Sequence, residues 1–121
     1  MKTCLVVDDS GVTRKLARKM LTNIGLEVTE AENGAVALDA CTKSMPDMIL
    51  LDWNMPVMDG MEFLRALRGS PLKPQPKVLF CTTESEFSKI AQALAEGADE
   101  YIMKPFDEEI LSSKLKLVGV I

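Results

Sequence analysis

Six polar residues stand where short apolar runs stop. Asp8 and Asp9 follow Cys4-Leu5-Val6-Val7, Asp52 follows Met48–Leu51, Thr82 and Thr83 follow Lys77–Cys81, and Lys104 follows Ala98–Met103. Three carboxylates gathered in one place repel one another, since two unit charges about 4 Å apart cost roughly 4 kcal/mol at an effective dielectric near 20. The Lys104 ammonium offsets part of that cost, and a divalent cation would offset the rest. The chain contains no histidine, so an all-oxygen donor set suits Mg²⁺, with Mn²⁺ as the alternative. A carboxylate is also a competent nucleophile towards phosphorus and forms an acyl phosphate. The metal and Lys104 would neutralise the phosphoryl oxygens, and the Thr82 hydroxyl would hydrogen-bond one of them.

Convergence of these groups depends on the elements that carry them. Thr3–Val7, Glu27–Ala31, Met48–Leu51, Lys77–Cys81 and Ala98–Met103 read as strands. Between and after them, Val12–Ile24, a segment from Asn33 or Gly34 to about Lys43, Gly60–Arg68, Ser85–Glu96 and Asp107–Val118 read as helices. The first helix repeats Val12, Leu16, Ala17, Met20, Leu21 and Ile24 at helical spacing and stops at Asn23 and Gly25. In the second, Ala35, Leu38 and Cys41 are expected to face inward. Acidic Asp107, Glu108 and Glu109 open the last helix, where the dipole favours negative charge. Pro71, Pro74 and Pro76 make the 69–76 segment a restricted, extended surface loop.

Five consecutive βα units imply an α/β fold, a three-layer sandwich with a parallel sheet covered by helices on both faces. Ligands of such sheets bind beyond the carboxyl ends of the strands, where strand order reverses. In the order 2-1-3-4-5, the first and third strands straddle that point, and the three acids, a hydroxyl and the ammonium would converge on one shallow pocket.

Composition narrows the function. The 121 residues fit a single domain with an ordinary core. Eighteen Asp+Glu against fourteen Lys+Arg give a net charge of −4, which argues against direct nucleic-acid binding. Without histidine there is no serine–histidine or cysteine–histidine catalysis and no phosphohistidine carrier. Three cysteines with no CxxC spacing argue against zinc and a disulfide framework, and Cys4 and Cys81 read as buried thiols. The eight methionines read mostly as core fillers. The apolar run before Asp8 is too short for a signal-peptide core, and no run reaches the roughly 18–20 apolar residues of a membrane span. A cytoplasmic protein without membrane contact is expected.

The stretches Leu5-Val6-Val7-Asp8-Asp9-Ser10, Leu50-Leu51-Asp52-Trp53-Asn54-Met55-Pro56, Met58-Asp59-Gly60, Val78-Leu79-Phe80-Cys81-Thr82-Thr83 and Tyr101-Ile102-Met103-Lys104-Pro105-Phe106 together resemble a response-regulator receiver domain of two-component signalling, of the single-domain CheY-like type. The similarity runs over essentially the whole chain. It implies a flavodoxin-like (βα)5 fold and one receiver domain over 1–121 with no output domain. It implies that Asp52 is the phosphoacceptor and that Asp8, Asp9, Asp52 and the backbone carbonyl of Asn54 bind Mg²⁺. Lys104 would contact the phosphoryl group, Thr82 would be the switch hydroxyl, and Tyr101 the aromatic that follows it. The Lys104–Pro105 peptide is often cis in that family. Two positions depart softly from the family's pattern. Thr83 stands where Ala, Gly or Ser is common, which would narrow access to Asp52. Ser10-Gly11-Val12 differs from the commonest chemotaxis pattern.

The implied activity is Mg²⁺-dependent phosphoryl transfer from a histidine kinase or histidine phosphotransfer protein to Asp52. It would switch the surface of the fourth helix, fifth strand and fifth helix towards a downstream protein. A phosphorelay intermediate or phosphate sink is the alternative. On this reading the chain is not a turnover enzyme but a phosphoacceptor with self-catalysed phosphorylation and slow autodephosphorylation, a monomer or a weak phosphorylation-dependent dimer. An aspartyl-phosphate hydrolase would need a general acid/base, and Asn54 stands where one hydrolase family carries a second acid. A flavin or nucleotide carrier would need a Gly-rich loop after the first strand, where the sequence is acidic instead. Asp8-Asp9-Ser10 also contains a helix N-cap. Arg14, Lys15, Arg18 and Lys19 read as a solvated cationic face or, more sharply, as a docking face for an acidic partner helix. The 118–121 tail is expected to fray or pack.

Overall fold

Strands that are buried on both faces need continuous apolar runs, and three of the five supply them: Cys4–Val7, Met48–Leu51 and Val78–Cys81. The structure is a computed structural model that describes residues 1–83 and 88–121. Its elements run β1 (Thr3–Val7), α1 (Gly11–Ile24), β2 (Glu27–Ala31), α2 (Gly34–Lys43), β3 (Met48–Asp52), α3 (Gly60–Gly69), β4 (Lys77–Thr82), α4 (Lys89–Ala95), β5 (Glu100–Met103) and α5 (Glu108–Leu117). All strand pairs are parallel, in the order β2-β1-β3-β4-β5. This is the expected flavodoxin-like α/β architecture.

The period-two alternation of strand side chains divides the core. Leu5, Val7, Ile49, Leu51, Val78 and Phe80 pack with Ala37, Phe63, Leu67 and Ala93 from α2, α3 and α4. Cys4, Val6, Met48, Leu50, Leu79, Cys81 and Ile102 pack on the opposite face with Ala17, Leu21, Leu111 and Leu115 from α1 and α5. Emptying one of the fully buried positions, such as Phe63, would cost about 3–5 kcal/mol.

Several local expectations change. In α1 only Ala17 and Leu21 are buried, while Val12 and Leu16 are exposed, because α1 meets the sheet along a narrower stripe than its apolar periodicity suggests. In α2 the buried positions are Gly34, Ala37 and Cys41, whereas Ala35 and Leu38 are half-buried. The β5 strand begins at Glu100, after a turn at Glu96 and Gly97 and a bend at Asp99, whose N–H donates to the Val78 carbonyl at 2.9 Å. The first part of the expected fourth helix, 85–87, lies outside the described residues.

The proline-rich loop is pinned rather than merely extended. Arg68 donates to the Pro76 carbonyl at 2.9 Å and to Gln75 Oε1 at 3.0 Å, and Pro76 is buried. Lys73–Pro74 and Lys104–Pro105 are both cis. The tail packs: Val120 is buried in the α1/α5 layer. The three thiols are buried as well, and burial pushes Cys4 up to about 12 and Cys41 to about 11. Among the described residues, no helix is long and apolar enough to cross a membrane.

Candidate functional site

The register explains why the acids meet. Val7 pairs with Leu51, so Asp8 and Asp52 are the next residues along two hydrogen-bonded strands. Asp52 itself pairs with Cys81, and Thr82 pairs with Met103, which places Lys104 one residue further along the same edge. One carboxylate oxygen from each of Asp8, Asp9 and Asp52 lies within 4.8 Å of the others.

Lys104 bridges two of these carboxylates. Its Nζ donates to Asp8 Oδ2 at 3.0 Å and to Asp52 Oδ1 at 2.9 Å. Asp8 is 5 % exposed, and its other oxygen accepts the Ser10 N–H at 2.9 Å. Ser10 is the N-cap of α1, accepting from the Thr13 N–H, so one short segment serves both cap and cluster. Asp9 is exposed at the mouth.

Burial raises the Asp52 carboxyl above its ordinary value; the hydrogen bond and charge of Lys104 oppose that rise, and the Asp8 charge adds to it. Burial also works against the Lys104 ammonium, but hydrogen bonds and charge from Asp52, assisted by Asp8, outweigh it and hold the lysine above its ordinary value. Three carboxylates against one bridging ammonium leave an excess of negative charge on oxygen atoms alone. That donor set fits a hard dication such as Mg²⁺.

The β3–α3 loop completes the rim. A Cβ at Gly60 would collide with the Asp52 carbonyl, and the Gly60 N–H donates to the Trp53 carbonyl at 2.9 Å. The loop can therefore fold tightly behind Asp52 only with glycine there. Asp59 and Glu62 form a reciprocal capping box that starts α3 at this point. Val57 holds a φ of 70°, a left-handed conformation costly for a β-branched residue, at the exposed tip of the loop. Asn54 is exposed in the same loop, two residues beyond Asp52.

The remaining candidates lie beside the cluster rather than within it. Thr82 is 1 % exposed, and its hydroxyl donates to the Thr83 carbonyl at 3.2 Å. Tyr101 is half-buried on β5 opposite Phe80, with Lys114 Nζ 4.2 Å from its ring centroid. Thr83 lines a groove with Leu16, Met20, Lys104 and Phe106.

Sequence reasoning missed two sets of contacts. Trp53 stacks edge-on against Phe80 and carries Lys89 Nζ 4.5 Å from its ring centroid, joining the start of α4 to the residue after Asp52. Lys15, Arg18 and Lys19 of the expected solvated face of α1 are exposed, but Arg14 is not, and three of the four share one partner. Arg14, Lys15 and Arg18 all pair with Glu30 of β2, whose side chain is only 11 % exposed. The Lys15 and Arg18 hydrogen bonds lead in holding the Glu30 carboxyl down at about 2. No helical period reveals these pairs, because the partner sits on a strand twelve to sixteen residues away.

An acidic triad and bridging lysine at the switch point of a 2-1-3-4-5 sheet define a class, and comparison with known proteins agrees. The family model for the response regulator receiver domain matches residues 4–116. The chain belongs to that family, and it is a CheY-like receiver of two-component signalling. It is 38% identical over 114 residues to a chemotaxis protein CheY homolog of Campylobacter jejuni, covering 93% of this chain and 88% of that one. It is 34% identical over 116 residues to the chemotaxis protein CheY1 of Helicobacter pylori, covering 94% of each. The solved structure of Vibrio cholerae CheY4 superposes with a TM-score of 0.89 at 37% identity, covering 98% of both chains.

Proposed function

We propose that the chain is a phosphorylation-controlled signalling switch whose phosphoacceptor is Asp52. The observation that carries this reading is the Lys104 ammonium shared between Asp52 Oδ1 and Asp8 Oδ2 at the carboxyl edge of the sheet. A carboxylate so placed has a nucleophilic oxygen beside a fixed positive charge, where a phosphoryl group's equatorial oxygens would gather.

In the transfer, a carboxylate oxygen of Asp52 forms a bond to phosphorus while the bond from phosphorus to the donor atom breaks. The electron pair leaves with the donor, the imidazole of a phosphohistidine or the carboxylate of acetyl phosphate. Lys104 stays protonated and moves its contact onto the phosphoryl oxygens. Asp8, Asp9, Asp52 and the Asn54 carbonyl would hold Mg²⁺, which supplies charge neutralisation of the phosphoryl oxygens. Thr82 exchanges its bond to the Thr83 carbonyl for one to a phosphoryl oxygen. That exchange couples through the adjoining β5 register to Tyr101 and the α4-β5-α5 surface.

The donor is a histidine kinase or histidine phosphotransfer protein, the output a protein partner, and the setting cytoplasmic. Turnover is slow, because Asn54, two residues beyond Asp52, is an amide and not an acid able to activate water against the acyl phosphate. Incubating the protein with acetyl phosphate and Mg²⁺ should give alkali- and hydroxylamine-labile incorporation that Asp52→Asn abolishes. Equal incorporation by the variant would move the acceptor elsewhere.

A further inference from the structure

Arg14 is the one member of the α1 cation array whose side chain turns towards the acidic cluster, with only 18 % of it exposed. Its guanidinium is held at two points. Nε donates to Glu30 Oε1 at 3.0 Å, and Nη1 donates to the backbone carbonyl of Asp8 at 2.7 Å. That carbonyl belongs to the peptide joining Asp8 to Asp9. The peptide is planar, so fixing its oxygen fixes the direction in which the chain leaves Asp8 and the place of the Asp9 Cα. The preceding peptide is fixed too, by the Asp8 N–H donating to the Ala31 carbonyl at 3.1 Å.

The anchor is rigid. Glu30 sits in β2 in register with Val6 of β1, and Lys15 and Arg18 hold it at 2.9 Å and 2.7 Å. Asp8 is fixed further by Lys104 and the Ser10 N–H. Asp9, by contrast, is exposed. The direction of its carboxylate therefore depends heavily on the backbone that Arg14 holds.

We infer that Arg14 is a positioning residue for the divalent-cation site, acting through the Asp8–Asp9 peptide to aim the Asp9 carboxylate, with Glu30 as its anchor. The inference rests on the metal reading above. Partners that orient ligands commonly change metal affinity by about 10–100-fold when removed. The lower part of that range applies here, because Arg14 orients backbone rather than a ligand atom.

The test is a Mg²⁺ titration of the unphosphorylated full chain, followed by Trp53 fluorescence and repeated with Mn²⁺ by magnetic resonance. Arg14→Gln should weaken both affinities roughly tenfold. Arg14→Lys should weaken them similarly, because an ammonium does not reproduce the planar bridge. Glu30→Gln should weaken them less, and the double variant should be no worse than Arg14→Gln alone. Each variant's metal-free melting is measured alongside, and Glu30→Gln carries the test if Arg14→Gln fails to fold. Lowered melting with unchanged affinity, or full rescue by lysine, overturns the inference and leaves the metal site standing. A wild-type protein that binds neither ion overturns both.

Discussion

At the scale of single residues, the central fact is that one ammonium serves two carboxylates. Lys104 is the counter-charge that lets Asp8 and Asp52 coexist, and it would compete with the proposed cation for the two oxygens it holds. Lys104→Ala should therefore lower metal-free stability by about 1–2 kcal/mol, below the range for a fully buried pair because the lysine is partly exposed. The same variant should bind Mg²⁺ at least as tightly as the wild type, and paired thermal melts with and without Mg²⁺ read both effects. Thr82 is nearly inaccessible and engaged with its neighbour's carbonyl. Thr82→Ala should still accept phosphate from acetyl phosphate yet show a reduced phosphorylation-dependent change around Tyr101, seen by comparing backbone amide spectra with and without beryllofluoride. An undiminished change would remove Thr82 from the switch. The carboxylates, Thr82 and Lys104 were legible in the sequence because each directly follows or ends an apolar run. The Arg14 bridge was not, since a long side chain crossing from helix to strand leaves no periodic trace.

At the scale of elements, the strands were the most legible part. Burial on both faces forces continuous apolar runs such as Cys4–Val7 and Val78–Cys81, and polar residues end them. Helices were harder. Apolar spacing in α1 suggested a stripe including Val12 and Leu16, yet both lie on the exposed side. In α2, Gly34, Ala37 and Cys41 are buried, while Ala35 and Leu38, expected to face inward with Cys41, stay half-buried. The link between α1 and β2 is electrostatic and makes a pH prediction. Glu30 is held at about 2, below its ordinary 4.5. A carboxyl depressed in the fold stabilises above its unfolded pKa, and that contribution is lost as pH falls through the folded value. Stability should decline between about pH 4.5 and pH 2 through this group. Glu30→Gln should be less stable at neutral pH and should lose less over that interval, as urea unfolding at several pH values would show. Parallel acid limbs for the two proteins would contradict the ion-pair account.

At the scale of the whole molecule, a parallel 2-1-3-4-5 sheet delivers groups separated by almost the entire chain to one edge. Asp8 and Lys104 are 96 residues apart and 3.0 Å from each other. The sequence could name the acids but not their separation; that follows from strand order, which alternation of elements alone leaves open. A net charge of −4 makes the local cation cluster on α1 stand out; three of its four members share Glu30, whose single charge offsets one of them. The proposed phosphoryl chemistry therefore lies at the acidic edge, on Asp52. Treating the protein with acetyl phosphate, trapping the acyl phosphate by borohydride reduction and locating the reduced residue by peptide mass spectrometry tests that claim most directly. The account predicts reduction at Asp52 alone, dependent on Mg²⁺ and lost with a chelator. Reduction at any other carboxylate, or at Asp52 to the same extent without a divalent cation, would contradict it.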